Sequence, residues 1–500
     1  MQCSPGSRRI RTRVQKTSLV VALLLGGLQG TCQAAAATHD SAPTSLLKVR
    51  LETHLTTYTS NAGSPFRAVV VSDYERDGRI VIPRDSSVYG IVSRVKKVGL
   101  GFRHERAGLW LKFEAFVTPD GQRLPFSAQL VSIDNAREKV LRDGQIRGVL
   151  AAQNPNGLLN GMWYNPRPDF GFIFHSAIGL TGVAHQLLGI LPIGTPGAAA
   201  LLALRCVVIR FPEPEIHLAP GTDMNLAINL PAGPIPSYPV VPAAPVPALL
   251  AEQLSTLPRE VTRRNGIPAD DIINFVFLGS KQDLTESFMR MGWSKAEQRS
   301  ARSFSREYAA FSSMRGYRTA PVSRLYYRGM LPDLVFQKSL NTVTKRDHIR
   351  IWHCGDIDGQ DVWLGAATHD SGITFRATAF QFSHRIDPAL DVERATVVND
   401  LAFAGCSTPA SFVDESAEVP PSKDGFATTD GRIAVVSITD CRHPSFAASL
   451  SGGQPAPGPP GNKLTRVVRR LVLESRNYFL RENAYYWTYE LIRYHSITTP

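Results

Sequence analysis

Seven prolines fall within the seventeen residues from Pro231 to Pro247 (Pro231, Pro234, Pro236, Pro239, Pro242, Pro245 and Pro247), set among alanine and valine. Proline fixes φ and donates no backbone hydrogen bond, so neither a helix interior nor a central strand can run through such a stretch. The composition favours a semi-rigid polyproline spacer, which we place over residues 231–264. The chain must therefore fold as bodies on either side of it, and 500 residues at about 100–200 per domain also predict more than one.

On the N-terminal side, five apolar runs (Leu47 to Tyr58, Arg67 to Val71, Ser87 to Val95, Leu109 to Val117 and Leu124 to Ile133) are broken by Asp77-Gly78, Gly99, Gly101 and Asp120-Gly121. Short strands separated by turn residues, with no helical period between them, predict an all-β barrel or sandwich. A second strand block at Leu204 to Phe211 and Met224 to Leu230 is expected to complete it, giving a discontinuous β-domain over 46–230. Between the blocks, Phe170 to Leu204 contains no Asp, Glu, Lys or Arg in 35 residues, and Pro192 and Pro196 split it into two limbs. This predicts an apolar helical hairpin, either buried in protein, contacting a membrane or serving as an oligomer surface.

The phrase Ile82-Pro83-Arg84-Asp85-Ser86-Ser87-Val88-Tyr89-Gly90, with Leu218-Ala219-Pro220-Gly221-Thr222 later, resembles the β-barrel domain of the VirB10/TrbI type from bacterial envelope secretion channels. That resemblance implies a membrane-entering helical excursion between strands, for which 170–204 is the candidate.

Residues 1–37 have the plan of a secretory signal: a basic stretch with Arg8, Arg9, Arg11, Arg13 and Lys16, ten residues from Leu19 to Leu28 that are apolar or glycine, and a small-residue exit at Ala34 to Ala37. Ten residues are too few to span a bilayer, which takes about 20. The expectation is export to the periplasm or cell envelope, with mature protein starting near Ala35 to Thr38. Removing those five basic residues leaves 50 cations against 43 acids, or +7, with no motif that gathers them for nucleic acid. After export four cysteines remain, Cys206, Cys354, Cys406 and Cys441, with three ways to form two bridges; Cys406–Cys441 is the preferred pair, and buried thiols are the other reading.

Beyond the spacer, residues 265–445 mix helix and strand. Ser280 with Asp283 marks one helix start, Ser294 with Glu297 reads as a capping box for a second, and Asp387-Pro388 opens a third that stops at Gly405. Asp358-Gly359 between two strands is a hairpin signal. The expectation is an α+β domain with a mostly antiparallel sheet, followed by a Gly/Pro-rich linker at 446–461 and a basic, aromatic amphipathic helix at 462–495. That helix either docks on its own protein or lies on a membrane surface or envelope partner.

Within this domain Leu325-Tyr326-Tyr327-Arg328-Gly329, Asp333-Leu334-Val335-Phe336-Gln337, His348-Ile349-Arg350-Ile351-Trp352, Trp363 to Ile373 and His384-Arg385-Ile386-Asp387-Pro388 with Asp391, Glu393 and Arg394 resemble the LssY C-terminal domain family. The resemblance implies a link to bacterial secretion loci and to membrane lipid-phosphatase-type fusions, and brings no assigned reaction.

Alternation along the strand sets His348, Arg350 and Trp352 on one face and Ile349 and Ile351 on the other, so the polar face is expected to be exposed. Pairing about the Asp358-Gly359 turn brings His348 near Asp370. The candidate ligand or acid–base set is therefore His348, Arg350, Asp370, His384, Asp387, Asp391 and Arg394; His348, Asp370 and His384 are also candidates for a divalent metal. The rival structural reading makes Asp387 a helix cap and Arg394 its ion-pair partner. Three functions follow: an envelope accessory or ligand-binding protein, an exported hydrolase acting on an anionic envelope substrate through the His/Asp/Arg set, and a membrane-contacting, ring-forming channel component.

Overall fold

The computed structural model describes residues 46–100, 105–135, 137–148, 214–230, 237–312, 316–340, 345–376, 381–414, 428–441, 461–469 and 472–473; for 304, 308–309, 311–312, 371–376 and 381–385 it describes backbone only. The leader at 1–37, the apolar stretch 170–204, the strand expected at 204–211 and most of 446–461 lie outside the described residues.

The main strands of the first sheet are β1 (Leu47–Leu51), β2 (Pro65–Val70), β3 (Ser87–Lys96), β4 (Gly108–Val117), β5 (Ser127–Ile133) and β6 (Asp223–Asn229). Their order is β4-β3-β2-β1-β6-β5, with short strands extending the β4 side to nine in all, and the sheet bends until β4 also meets β5. The late strand β6 slots between two early ones, Leu47 opposite Leu226 and Met224 opposite Ile133, which joins the two strand blocks in one sheet. Alternation explains its core: Leu47, Val49 and Leu51 point inward with Phe66, Ala68 and Val70, while Lys48 and Arg50 project outward.

A second sheet of eight strands is built on β7 (Phe275–Leu278), β8 (Leu334–Ser339), β9 (Arg346–Ile357), β10 (Gln360–Arg376), β11 (Gln381–Ile386) and β12 (Ile433–Ser437), in the order β8-β9-β10-β7-β12 with β11 also on β10. All these pairs are antiparallel except β7 with β12. The β9–β10 hairpin turns at Asp358 (φ 54°) and Gly359 (φ 77°), the left-handed pair that Asp-Gly accommodates with little strain.

Both faces of this sheet are covered. Helices α2 (Lys281–Arg290) and α4 (Leu390–Phe403) place Leu284, Phe288, Val397 and Leu401 with Ile349, Ile351 and Ala367 on one side. On the other, α1 (Ala248–Ser255) contributes Leu250 and Leu254 to a core with Val261, Trp352, Leu364 and Ala366. The expected spacer is thus shorter than 231–264: after Pro247 the chain is already helix, and Leu250, Leu254, Leu257 and Val261 are buried.

Two helix starts also move. Ser280 accepts from the Asp283 amide as expected, but α3 (Ala301–Ser312) begins after a Ser300/Ser303 exchange, because Glu297 accepts hydrogen bonds from Tyr317 and Thr319 instead of capping. Helix α4 has Ala389 at its N-cap, while Asp387 accepts from the Ala389 amide at 3.0 Å. Of the expected 462–495 helix, the described residues 463–469 and 472–473 are helical. That piece docks on the first sheet: Arg469 reaches Glu215 at 2.8 Å and Leu473 is buried in the first core. Among the described residues no helix is long and apolar enough to cross a membrane.

Candidate functional site

Register along the β9–β10 hairpin fixes the polar groups. Arg346 lies opposite Asp370, Asp347 opposite His369 and His348 opposite Thr368. Odd and even positions therefore make two separate polar clusters, one on each face of the sheet.

The even face holds the expected pair. His348 Nδ1 is 3.6 Å from Asp370 Oδ2, and His348 Nε2 hydrogen-bonds Thr368 Oγ1 at 2.8 Å. Asp370 also accepts from Arg346 Nε at 2.8 Å, Arg350 pairs with Asp271 and donates to Ser323 Oγ at 2.8 Å, and Arg346 donates to the Pro321 carbonyl at 3.1 Å. The exposure expected for His348 and Arg350 is not found. His348, Arg350, Asp370, Arg346, Asp271 and Thr368 are each 3% exposed or less, because α1 and the 316–330 segment cover this face. Burial pushes the Asp271 carboxyl up in spite of Arg350, and pushes the Arg350 guanidinium down. This is a closed web of ion pairs inside the protein.

Asp387, Asp391 and Arg394 make their contacts elsewhere. His384 pairs through its backbone with Ile373, and its side chain lies outside the described atoms. Asp391 accepts from Thr429 Oγ1 and the Asp430 amide, and Arg394 pairs with Asp391 and Asp430, not with Asp387.

The odd face carries a group that face arithmetic assigned to the apolar core. Asp347 Oδ1 meets His369 Nδ1 at 2.5 Å, and Glu393, from the first turn of α4, completes a triad whose donor atoms all lie within 4.8 Å of one another. Asp347 is 1% and Glu393 3% exposed; Asp347 Oδ2 and Glu393 Oε1 are buried with no hydrogen-bond partner among the described residues. Burial opposes a charged His369, but the Asp347 hydrogen bond and charge outweigh it and raise the imidazole to about 8. Burial, then the Asp347 charge, hold the Glu393 carboxyl well above its ordinary range, and the same two causes raise Asp134 from the first sheet.

Beside this triad the two sheets meet. Arg50, outward on β1, donates to Asp223 at 2.6 and 2.9 Å and to Asp400 of α4 at 2.7 Å. Asp400 also accepts from Lys338 at 2.8 Å and Trp293 at 3.2 Å. Lys48 reaches Thr396 at 3.4 Å, and Phe403 packs on Val69 and Val71 beneath the Arg50 guanidinium. Glu393, Thr396, Asp400 and Phe403, spaced three or four apart, are thus the stripe of α4 that faces the first sheet.

Residues 254–432 match the family model LssY_C, the LssY C-terminus. The LssY C-terminal domain so matched includes every residue of the β9–β10 hairpin and α4, and so all of both polar clusters on the second sheet. It starts within α1, eleven residues before the expected 265. Among solved structures, ComB10 of the Com type IV secretion system of Helicobacter pylori is similar at 12% identity over 37% of this chain and 84% of that one, with a TM-score of 0.17. No curated protein matches the chain.

Proposed function

We propose that this chain is an exported cell-envelope accessory protein in which an LssY C-terminal domain and a barrel-like β-sheet work as one rigid binding body. The observation that carries the accessory reading is the fate of the histidine set. His348, Arg350 and Asp370 are tied to Thr368, Asp271, Ser323 and Arg346 and buried, so none of these three is placed to meet a substrate. A hydrolase needs its acid and base at an accessible surface, which disfavours the hydrolase built on these residues.

Export is supported by the basic, apolar and small-residue order of 1–37 and by the Cys406–Cys441 disulfide, a bond that persists in oxidising compartments. Cys354 is disulfide-bonded as well. The test is to express the full chain with its leader in a bacterium, isolate the periplasm and envelope, and determine the N-terminus and the thiol state. A mature start between Ala35 and Thr38 with Cys406 and Cys441 unreactive is expected; an uncleaved chain with reduced thiols in the cytosol would overturn the reading.

A further inference from the structure

Three independent elements, β9, β10 and α4, bring Asp347, His369 and Glu393 to one point where the two sheets meet. A buried carboxylate oxygen without a hydrogen bond is costly unless a proton or a cation sits against it. Two such oxygens occur here, Asp347 Oδ2 and Glu393 Oε1, and the groups around them do not explain both. Lys48 turns to Asp223 and Thr396, and Lys338 to Asp400 and Asp223. Asp134 adds a third carboxyl from the first sheet, close enough for its charge to bear on Asp347 and His369. The acids are gathered at one place and the lysines are engaged beside it.

We infer that Asp347, His369 and Glu393 form a binding site for a first-row divalent cation at the seam between the two sheets. The donor set selects the ion. One imidazole with two carboxylates and no thiolate suits Zn2+, whereas Mg2+ takes oxygen donors and keeps its water. Zinc-to-ligand distances of about 2.0–2.2 Å place neighbouring donors about 3–4 Å apart, so donors already within 4.8 Å need only a small contraction. A bound ion would answer both unmet oxygens at once. With β9 and β10 it would also anchor the face of α4 that the first sheet rests on.

The test uses the full chain without an affinity tag, in a His54→Asn background. That background removes the His54/His217 ring pair, whose Nε2 atoms are 2.9 Å apart and could take up zinc independently. Titration with Zn2+ alone should show one equivalent bound and a raised Tm, with Mg2+ giving neither. Glu393→Gln and Asp347→Asn should each weaken uptake at least about tenfold and remove the Tm rise. For Glu393→Gln the metal-free Tm should equal or exceed that of the parent, because a carboxyl with a buried, unmet oxygen has been removed. A variant-free measurement accompanies this: Zn2+ should protect His369 from diethylpyrocarbonate, read by mass spectrometry of the peptide. Absence of uptake by the parent, undiminished uptake by Glu393→Gln, or unprotected His369 would each overturn the site.

Discussion

At the residue scale, His348 shows how a correct pairing can carry a wrong environment. The turn at Asp358-Gly359 places it opposite Thr368 and beside Asp370, as hairpin arithmetic requires. Its exposure follows only if the even face is bare, and that face is covered by Leu250 and Leu254 of a helix that begins one residue after the proline run. Propensity in a Pro- and Ala-rich stretch gave no reason to expect it. The consequence is a reversal of role: His348→Ala should leave Asp370 and Thr368 short of a partner in the interior and lower stability by about 2–4 kcal/mol, read by urea denaturation. A loss under 0.5 kcal/mol would mean the web is not maintained in solution. Asp347 and His369 were hidden for the opposite reason. They share parity with Ile349, Ile351 and Ala367, and alternation alone assigns such positions to an apolar core.

At the element scale, α4 joins two interfaces. Val397 and Leu401 face the sheet beneath it, and Thr396, Asp400 and Phe403 face the first sheet. The helix was legible from Asp391, Glu393 and the stop at Gly405 (φ 66°), but its second polar stripe has meaning only once a partner surface is known. Likewise Leu47-Lys48-Val49-Arg50-Leu51 alternates as a half-exposed strand should, and nothing local says that its polar side is buried. Arg50→Ala would leave Asp223 and Asp400 in the interior with only Lys48 and Lys338 against their charges, so we expect a loss of about 3–5 kcal/mol in chemical denaturation. Paired with Asp400→Asn in a double-mutant cycle, it should return a coupling of at least about 1 kcal/mol; additive effects would show that the two sheets do not depend on this pair. At the far end of α4, Cys406–Cys441 closes a separation of 35 residues. Replacing both cysteines by serine should cost about 3–4 kcal/mol on loop-entropy grounds, measured under non-reducing conditions.

At the scale of the whole molecule, the discontinuous first sheet and the mostly antiparallel second sheet were readable from turn residues and period. The ionic seam between them was not, because it is assembled from Arg50, Asp223, Lys338 and Asp400, far apart in sequence. The seam should have a pH signature. Burial disfavours the Asp400 charge, but Lys338 and Arg50 outweigh it and hold the carboxyl down at about 2 against an ordinary 3.8. Asp223 is lowered too, with burial again overcome by Arg50 and Lys338. A carboxyl depressed on folding stabilises fully above its unfolded value, and that contribution is lost as pH falls through the folded one. Glu393 and Asp134, which are raised, act in the reverse sense, and as pH falls from about 3.8 toward 3 both become protonated in either state and fall silent. The window between pH 4 and 2 therefore belongs to the depressed acids. To separate Asp400 from Asp430, which is also depressed, the comparison is between the parent and Asp400→Asn. Their stability difference should be constant from pH 7 to about 4 and shrink by about 2 kcal/mol toward pH 2. A difference that does not change across that range would mean Asp400 is not charged within the seam, and the ionic link between the two sheets must then run through Asp223 and Lys338 instead.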